Sequence, residues 1–161
     1  MKILIVEDDK DYAFLEQEVL EETLPGCQIE VAPTGQDCLT KNLSDYDVIL
    51  LDYHLPDTPG IELIPKILNR CDVPVIMVTG VQEVETVVEA LKSGAYNYTV
   101  KSHETLTLLP AIIEKTIEEY KRKGYSAGEI NQIVGNLKGQ NTRNLPLEGS
   151  NEWLTGKTDS G

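Results

Sequence analysis

Basic side chains are scarce in this chain of 161 residues, which has 14 Lys and Arg against 27 Asp and Glu and a net charge of −13. The shortage lies in residues 1–120, which hold 23 acids and 8 bases, whereas residues 121–161 hold 4 acids and 6 bases. Nucleic acid and anionic membrane surfaces would repel so acidic a domain. We therefore expect no membrane association and no direct nucleic-acid binding. Divalent cations or a basic partner surface suit this charge better.

Cysteine is also scarce, and none of the three cysteines belongs to a C-x-x-C pair. Cys27, Cys38 and Cys71 are scattered and odd in number, which argues against a disulfide framework and suits a reducing cytosol. No apolar run has the length of a membrane span, and the first run meets Glu7 too early to be a signal peptide. The sequence therefore predicts a soluble cytoplasmic protein with one core, since two full domains would crowd this length.

Five short apolar runs predict strands, and the first, third and fourth runs contain no alternating polar residue, which predicts burial on both faces. They are Ile3–Val6, Ile29–Ala32, Val48–Leu51, Val73–Val78 and Tyr96–Val100. Apolar residues at helical spacing follow each run and predict helices that end near Leu24, Leu43, Asn69, Leu91 and Lys123. In the first helix the apolar stripe includes Leu15 or Glu16, and Asp9 is expected at the helix start, where the dipole favours an acid. Strands that alternate with helices predict an α/β fold, a doubly wound parallel sheet with helices on both faces.

The end of the chain differs from the rest in composition. We predict one domain over residues 1–123 and a C-terminal tail over residues 124–161. An apolar stripe predicts one short helix over about residues 126–138. Beyond Gly139 the tail is rich in Gly, Asn, Ser and Thr without any period, which predicts mostly irregular chain.

Polar residues follow four of the predicted strands at the point where each strand ends. Glu7 and Asp8 follow the first strand, Asp52 the third, Thr79 the fourth and Lys101 the fifth. The carboxyl ends of parallel strands meet at one edge of a sheet, so we expect these side chains to converge. Carboxylates this close repel one another unless a cation intervenes, and oxygen ligands of this kind suit Mg²⁺. Lysine and threonine beside them suit the outer oxygens of a phosphoryl group.

Asp52 ends the most apolar run and precedes a turn rich in proline and glycine. Taken alone, an aspartate here could equally cap a helix or a turn. Its expected neighbours favour a chemical role. Asp52 is the single acid on the central strand, which makes it the candidate nucleophile, accepting a phosphoryl group as an acyl phosphate. Glu7 and Asp8 would position Mg²⁺, and phosphoryl transfer needs mainly such alignment and charge neutralisation.

Together these motifs resemble the receiver domain of two-component response regulators. The likeness covers roughly the first three quarters of the chain in order, and it depends on joint spacing, since each motif alone is weak. It is carried by Ile3-Leu4-Ile5-Val6-Glu7-Asp8-Asp9, by Asp47-Val48-Ile49-Leu50-Leu51-Asp52 with Leu55-Pro56 and Gly60, by Met77-Val78-Thr79-Gly80, and by Ser93-Gly94-Ala95 through Tyr98-Thr99-Val100-Lys101. The resemblance implies a flavodoxin-like sheet with strand order 2-1-3-4-5.

The resemblance also implies roles for the acidic residues. Asp52 matches the phosphorylated aspartate, and Glu7 and Asp8 match the acidic pair around the metal. His54 matches a position that gives its backbone carbonyl to Mg²⁺, so its imidazole is not expected to be a ligand. The implied metal site is therefore Glu7, Asp8, Asp52 and the carbonyl of His54.

The remaining implied roles concern the phosphoryl contacts and the switch. Thr79 and Lys101 match the pair that contacts the phosphoryl group. Tyr98 matches the aromatic residue that swings inward when the threonine moves, although it could also be a plain edge residue. One departure follows Lys101, where the family usually has proline after a cis peptide bond and this chain has Ser102. A cis bond before a non-proline residue costs about 2.5–4 kcal/mol, which favours a trans bond here.

The expected function is that of a phosphorylation-controlled response regulator receiver in two-component signal transduction. The resemblance implies a sensor histidine kinase or a phosphotransfer protein as the phosphoryl donor, and it leaves a homodimer open. It also implies a protein that phosphorylates itself and slowly dephosphorylates itself, and that does not turn over external substrates.

Three other functions fit parts of the sequence. A phosphatase or transferase with an aspartyl phosphate would carry a second aspartate two residues after the nucleophile, where this chain has His54. A flavodoxin-like cofactor protein would need a phosphate-binding loop after the first strand, where acids stand instead. A DNA-binding tail would need a second helix, which Pro146 and the scattered glycines oppose.

Overall fold

The computed structural model describes residues 1–80 and 83–123. The tail, residues 124–161, with its predicted helix at 126–138, lies outside the described residues. So does the predicted domain boundary, which stays a prediction.

The described residues form five strands and five α-helices, in the alternation that the sequence predicts. The strands are β1 Lys2–Val6, β2 Gln28–Ala32, β3 Val48–Asp52, β4 Val75–Thr79 and β5 Asn97–Val100. The helices are α1 Lys10–Thr23, α2 Gly35–Leu39, α3 Gly60–Leu68, α4 Val84–Ser93 and α5 His103–Lys123. A 3₁₀ turn at Leu43–Asp45 precedes β3.

All five strands are parallel and follow the order β2-β1-β3-β4-β5, which confirms the predicted fold. Ile5 lies between Val31 on β2 and Leu50 on β3, and Thr79 on β4 lies opposite Val100 on β5. β1, β3 and β4 are therefore interior strands. Their side chains are buried on both faces, since every residue of β3 and β4 is buried.

Each face of the sheet is covered by its own set of helices, because successive residues of a strand point to opposite faces. Leu4, Ile49 and Met77 pack with buried residues of α2, α3 and α4. Ile5, Leu50 and Ile76 point the other way and pack with α1 and α5. The continuous apolar runs of the sequence reflect these two layers.

Side-chain caps set where two of the helices begin. The Asp9 carboxylate accepts the N–H groups of Asp11 and Tyr12 at 2.9 and 3.2 Å, at the start of α1. The Thr34 hydroxyl accepts the N–H of Asp37 at 2.9 Å, at the start of α2. Both arrangements satisfy N–H groups that a helix leaves without partners.

None of the helices in residues 1–80 and 83–123 has the length and apolar character needed to span a membrane.

Candidate functional site

The sheet brings the predicted polar residues to one edge. Asp52 is the last residue of β3 and Thr79 is the last residue of β4. Glu7 directly follows β1, and Lys101 directly follows β5. Since all four strands are parallel, these residues leave the sheet at its carboxyl edge, where open α/β sheets bind ligands.

Three of the acids form a compact cluster. One carboxylate oxygen from each of Glu7, Asp8 and Asp52 lies within 4.8 Å of the others. Glu7 and Asp52 are buried, with 3% and 5% of their surface exposed, whereas Asp8 is exposed. Three oxygen donors that are open to solvent on one side could hold a metal ion, and the donor set is that of a hard divalent cation.

Lys101 supplies positive charge to this cluster. Its Nζ lies 2.7 Å from Oε1 of Glu7 and 3.4 Å from Oδ1 of Asp52. The ammonium also lies 4.7 Å from the ring centre of Tyr12, a distance at which a cation and an aromatic face attract each other. Lys101 therefore points toward Asp52, as its assigned role requires.

A trans peptide bond and a helix cap follow Lys101 in place of the usual proline. No cis peptide bond occurs in the described residues, so the bond to Ser102 is trans. Ser102 accepts the N–H of Thr105 at 3.1 Å, and Thr105 Oγ1 accepts the N–H of Ser102 at 3.2 Å. This reciprocal pair caps α5, which begins two residues earlier than the apolar spacing predicts.

Burial and mutual repulsion shape the acidity of the cluster. Burial raises the pKa of Glu7 to about 7, a hydrogen bond with Lys101 lowers it, and the charge of Asp52 raises it again. Burial also raises the pKa of Asp52, against the lowering effect of Lys101, of a hydrogen bond from Glu7 and of the backbone N–H of His54. Without a cation the site thus holds more acid than its single lysine can neutralise, and Glu7 is only partly ionised near neutral pH.

The pKa of Lys101 responds in the opposite direction. Burial lowers it, but the hydrogen bond to Glu7 and the charges of Asp52 and Glu7 outweigh burial, so the pKa is raised. Lys101 is therefore a permanent cation in this site.

The loop between β3 and α3 closes the site around Asp52. The Gly60 N–H donates to the Tyr53 carbonyl at 2.7 Å, and His54 pairs with Pro59 across the loop. A Cβ on Gly60 would lie 2.0 Å from the Asp52 carbonyl oxygen, so only glycine allows this approach. The tight base of the loop fixes the backbone that follows Asp52.

The other predicted residues lie around this centre. Thr79 is buried, and its carbonyl accepts the Lys101 N–H at 2.8 Å. The His54 side chain is exposed and lies edge-on to the ring of Tyr53. Tyr98 lies on the edge strand β5 with 38% of its surface exposed. The switch role of Tyr98 stays a prediction.

Sequence reasoning assigned no site role to three residues that the structure places at or near the site. Tyr12 lies within the predicted first helix, and Asp57 lies in the predicted turn after Asp52. Glu16 is buried in α1, and one of its oxygens has no hydrogen-bond partner among the described residues. An acid on the apolar stripe of a helix was a visible signal for Glu16, whereas nothing local marked the other two.

A parallel α/β sheet with an acidic cluster and a lysine at its carboxyl edge defines a receiver-type domain. The family model of the response regulator receiver domain matches residues 3–113, and the chain belongs to this family. Residues 3–113 are therefore a receiver domain of two-component systems, as the sequence predicts.

Individual relatives support this assignment. The chain is 33% identical to the transcriptional regulatory protein CitT of Halalkalibacterium halodurans, over 82% of this chain and 60% of that protein. It is 38% identical to the response regulator ArlR of Staphylococcus aureus, over 69% of this chain and 50% of that protein. It thus spans less than two thirds of these relatives. A CheY-like receiver structure from Methanospirillum hungatei is 33% identical with a TM-score of 0.65, covering 76% of this chain and 97% of that one.

Proposed function

We propose that Asp52 accepts a phosphoryl group from a sensor histidine kinase or a phosphotransfer protein, and that Mg²⁺ assists. The observation that carries this proposal is the position of Lys101, whose Nζ lies 2.7 Å from Glu7 and 3.4 Å from Asp52 at the edge of the sheet. The ammonium that now pairs with both acids can turn to a phosphoryl oxygen once Asp52 carries the group. Lys101 can therefore respond when phosphorylation changes the charge on Asp52.

The step itself is a substitution at phosphorus. An Asp52 carboxylate oxygen attacks, the P–N bond of a phosphohistidine breaks, and the leaving imidazole takes up a proton. The reaction requires Asp52 to be ionised. Lys101 and the His54 N–H favour the ionised form, because both lower a pKa that burial raises. The product is a mixed anhydride of a carboxylic and a phosphoric acid.

The residues present fit a divalent cation. Glu7, Asp8, Asp52 and the carbonyl of His54 would hold Mg²⁺, an all-oxygen set that leaves positions for water and phosphoryl oxygens. When bound, Mg²⁺ neutralises negative charge that develops on the transferring group.

The signal would then pass to the surface through Thr79 and Tyr98. The Thr79 hydroxyl would donate to a phosphoryl oxygen, and Tyr98 would move into the space that Thr79 leaves. Phosphorylation thereby changes the exposed surface of β5. This function is switching rather than turnover, with slow self-dephosphorylation ending the signal. A phosphatase or transferase is not favoured, because His54 replaces the second aspartate that those enzymes carry.

The proposal predicts that the purified chain gains one phosphoryl group from acetyl phosphate in the presence of Mg²⁺. Acetyl phosphate replaces the kinase, since its acetate leaves as the imidazole would. Intact-protein mass spectrometry measures the gain, and chelation of Mg²⁺ by EDTA should prevent it. Absence of any gain at saturating Mg²⁺ and acetyl phosphate would refute the proposed function.

Replacing Lys101 by methionine is expected to slow phosphoryl gain by roughly tenfold to a hundredfold, the range of one charge-assisted hydrogen bond of about 1.5–3 kcal/mol. Methionine keeps the length of the side chain and removes its charge. Lys92, in the last turn of α4, provides a control, since Lys92→Met removes an equal charge elsewhere. Rates from timed mass spectra should fall in the first variant and stay unchanged in the second. Equal rates in both variants would remove Lys101 from the mechanism.

A further inference from the structure

Asp57 lies at the tip of the loop between β3 and α3, and its carboxylate contacts a different element. Oδ1 accepts the N–H of Gly35 at 2.9 Å, and Oδ2 accepts the N–H of Gln36 at 2.9 Å. Both donors lie in the first turn of α2, where backbone N–H groups have no partners within the helix. Each oxygen thus satisfies one N–H, and the carboxylate clamps the start of α2 to the loop.

Packing reinforces this clamp. A Cβ added to Gly35 would lie 2.7 Å from Cγ2 of Thr58 and 3.5 Å from each oxygen of Asp57. The start of α2 therefore approaches the loop more closely than a residue with a Cβ allows without a shift of the neighbouring side chain. The two hydrogen bonds depend on this approach, since they reach backbone groups. Polar and steric evidence therefore locate the same contact.

The clamp acts on the backbone that serves Asp52. The base of the loop is closed by the bond from Gly60 to Tyr53 and by the pairing of His54 with Pro59. The backbone of His54 lies close enough to Asp52 to lower the pKa of its carboxyl through a backbone hydrogen bond. Asp57 adds a link from the loop tip to α2, which packs on the same face of the sheet as α3. The loop is thus restrained at its base and at its tip.

We propose that Asp57 is a positioning residue that holds the β3–α3 loop in the conformation in which the His54 backbone serves both Asp52 and the metal. Its consequence for Mg²⁺ rests on the proposed function, whereas its effect on the loop does not. Residues that orient metal ligands from outside the coordination shell commonly affect the affinity for the metal, and mutating them weakens its binding. Asp57 does not contact a metal ligand directly, and it would act by holding the backbone of the loop.

The test compares Asp57→Ala and Asp57→Asn with Thr34→Ala. Thr34 also caps α2, through its bond to the Asp37 N–H at 2.9 Å, but it does not belong to the β3–α3 loop. Titration calorimetry with MgCl₂ alone should show a Kd raised about three- to tenfold in Asp57→Ala, less than the about 10- to 100-fold of groups that bond a ligand directly. Asp57→Asn keeps one acceptor oxygen and should lie between Asp57→Ala and the wild type. Thr34→Ala should bind Mg²⁺ like the wild type.

Amide hydrogen exchange of residues 53–59, measured without metal, provides the second readout. Exchange in this loop should accelerate in Asp57→Ala and remain unchanged in Thr34→Ala. Equal loop exchange in Asp57→Ala and the wild type, or equal effects of the Asp57 and Thr34 variants, would overturn the proposal. A wild-type protein that fails to bind Mg²⁺ or to gain phosphate would refute the proposed function alone, because the loop measurement still decides the role of Asp57.

Discussion

Asp52→Asn is expected to abolish phosphoryl gain completely, because an amide oxygen is neither a charged nucleophile nor able to form a stable acyl phosphate. The substitution keeps the size of the side chain and an oxygen that can accept the His54 N–H. It also removes one of three clustered acids, so the fold should be retained. Mass spectra after incubation with acetyl phosphate and Mg²⁺ should show only unmodified protein. Thermal unfolding should show a folded variant.

Asp9→Asn provides the matched control for this experiment. It makes the same chemical change at the same edge of the sheet, and asparagine can cap α1 as aspartate does. This variant should gain one phosphoryl group, like the wild type. Hydroxylamine should remove the group from both proteins, since it attacks acyl phosphates and leaves phosphoserine intact. Phosphoryl gain by Asp52→Asn, or resistance of the wild-type group to hydroxylamine, would assign the acceptor to another residue.

The fold and most of the site were predictable because both depend on patterns that are local in sequence. Interior strands are buried on both faces, so β1, β3 and β4 appear as unbroken apolar runs. Each run ends in a polar residue, and parallel geometry alone brings those ends together. The peptide bond after Lys101 was also predictable. Ser102 stands where the family usually has proline, which favoured a trans bond, and the structure has one.

Contacts between distant segments were not predictable, because the sequence of neither segment indicates which other segment it contacts. Asp57 reads as an ordinary turn residue, and its bonds to Gly35 and Gln36 join positions more than twenty residues apart. The ring of Tyr12 lies beside Lys101 only because α1 and α5 pack together on one side of the sheet. Periodicity placed either Leu15 or Glu16 on the buried stripe and did not decide between them. The structure buries the acid and leaves Leu15 46% exposed.

Replacing Glu16 by leucine is expected to raise the free energy of unfolding by roughly 3 to 5 kcal/mol near pH 8, since each unit of pKa shift corresponds to about 1.36 kcal/mol. Burial raises the pKa of Glu16 from 4.5 to about 8, the charges of Glu7 and Asp52 raise it, and the charge of Lys101 lowers it. Glu16 is 1% exposed beside Ala13 and Leu20 on the buried face of α1. Leucine would fill the same space without a buried carboxyl. Stability of this kind is commonly gained where function does not constrain the residue.

The pH dependence of the free energy of unfolding tests whether the buried Glu16 carboxyl causes this instability. Folded Glu16 keeps its proton at pH values where the unfolded chain has lost it, so unfolding releases a proton and rising pH favours the unfolded state. Wild-type stability should therefore fall as the pH rises from about 4.5 to about 8, and this loss should be smaller in Glu16→Leu and Glu16→Gln, in which Glu7 and Asp52 still titrate with folding. Glu18→Gln changes an exposed acid of the same helix and should keep the wild-type slope. Denaturant unfolding at pH 5 and pH 8 measures the difference, and equal slopes in the Glu16 and Glu18 variants would show that Glu16 does not titrate with folding.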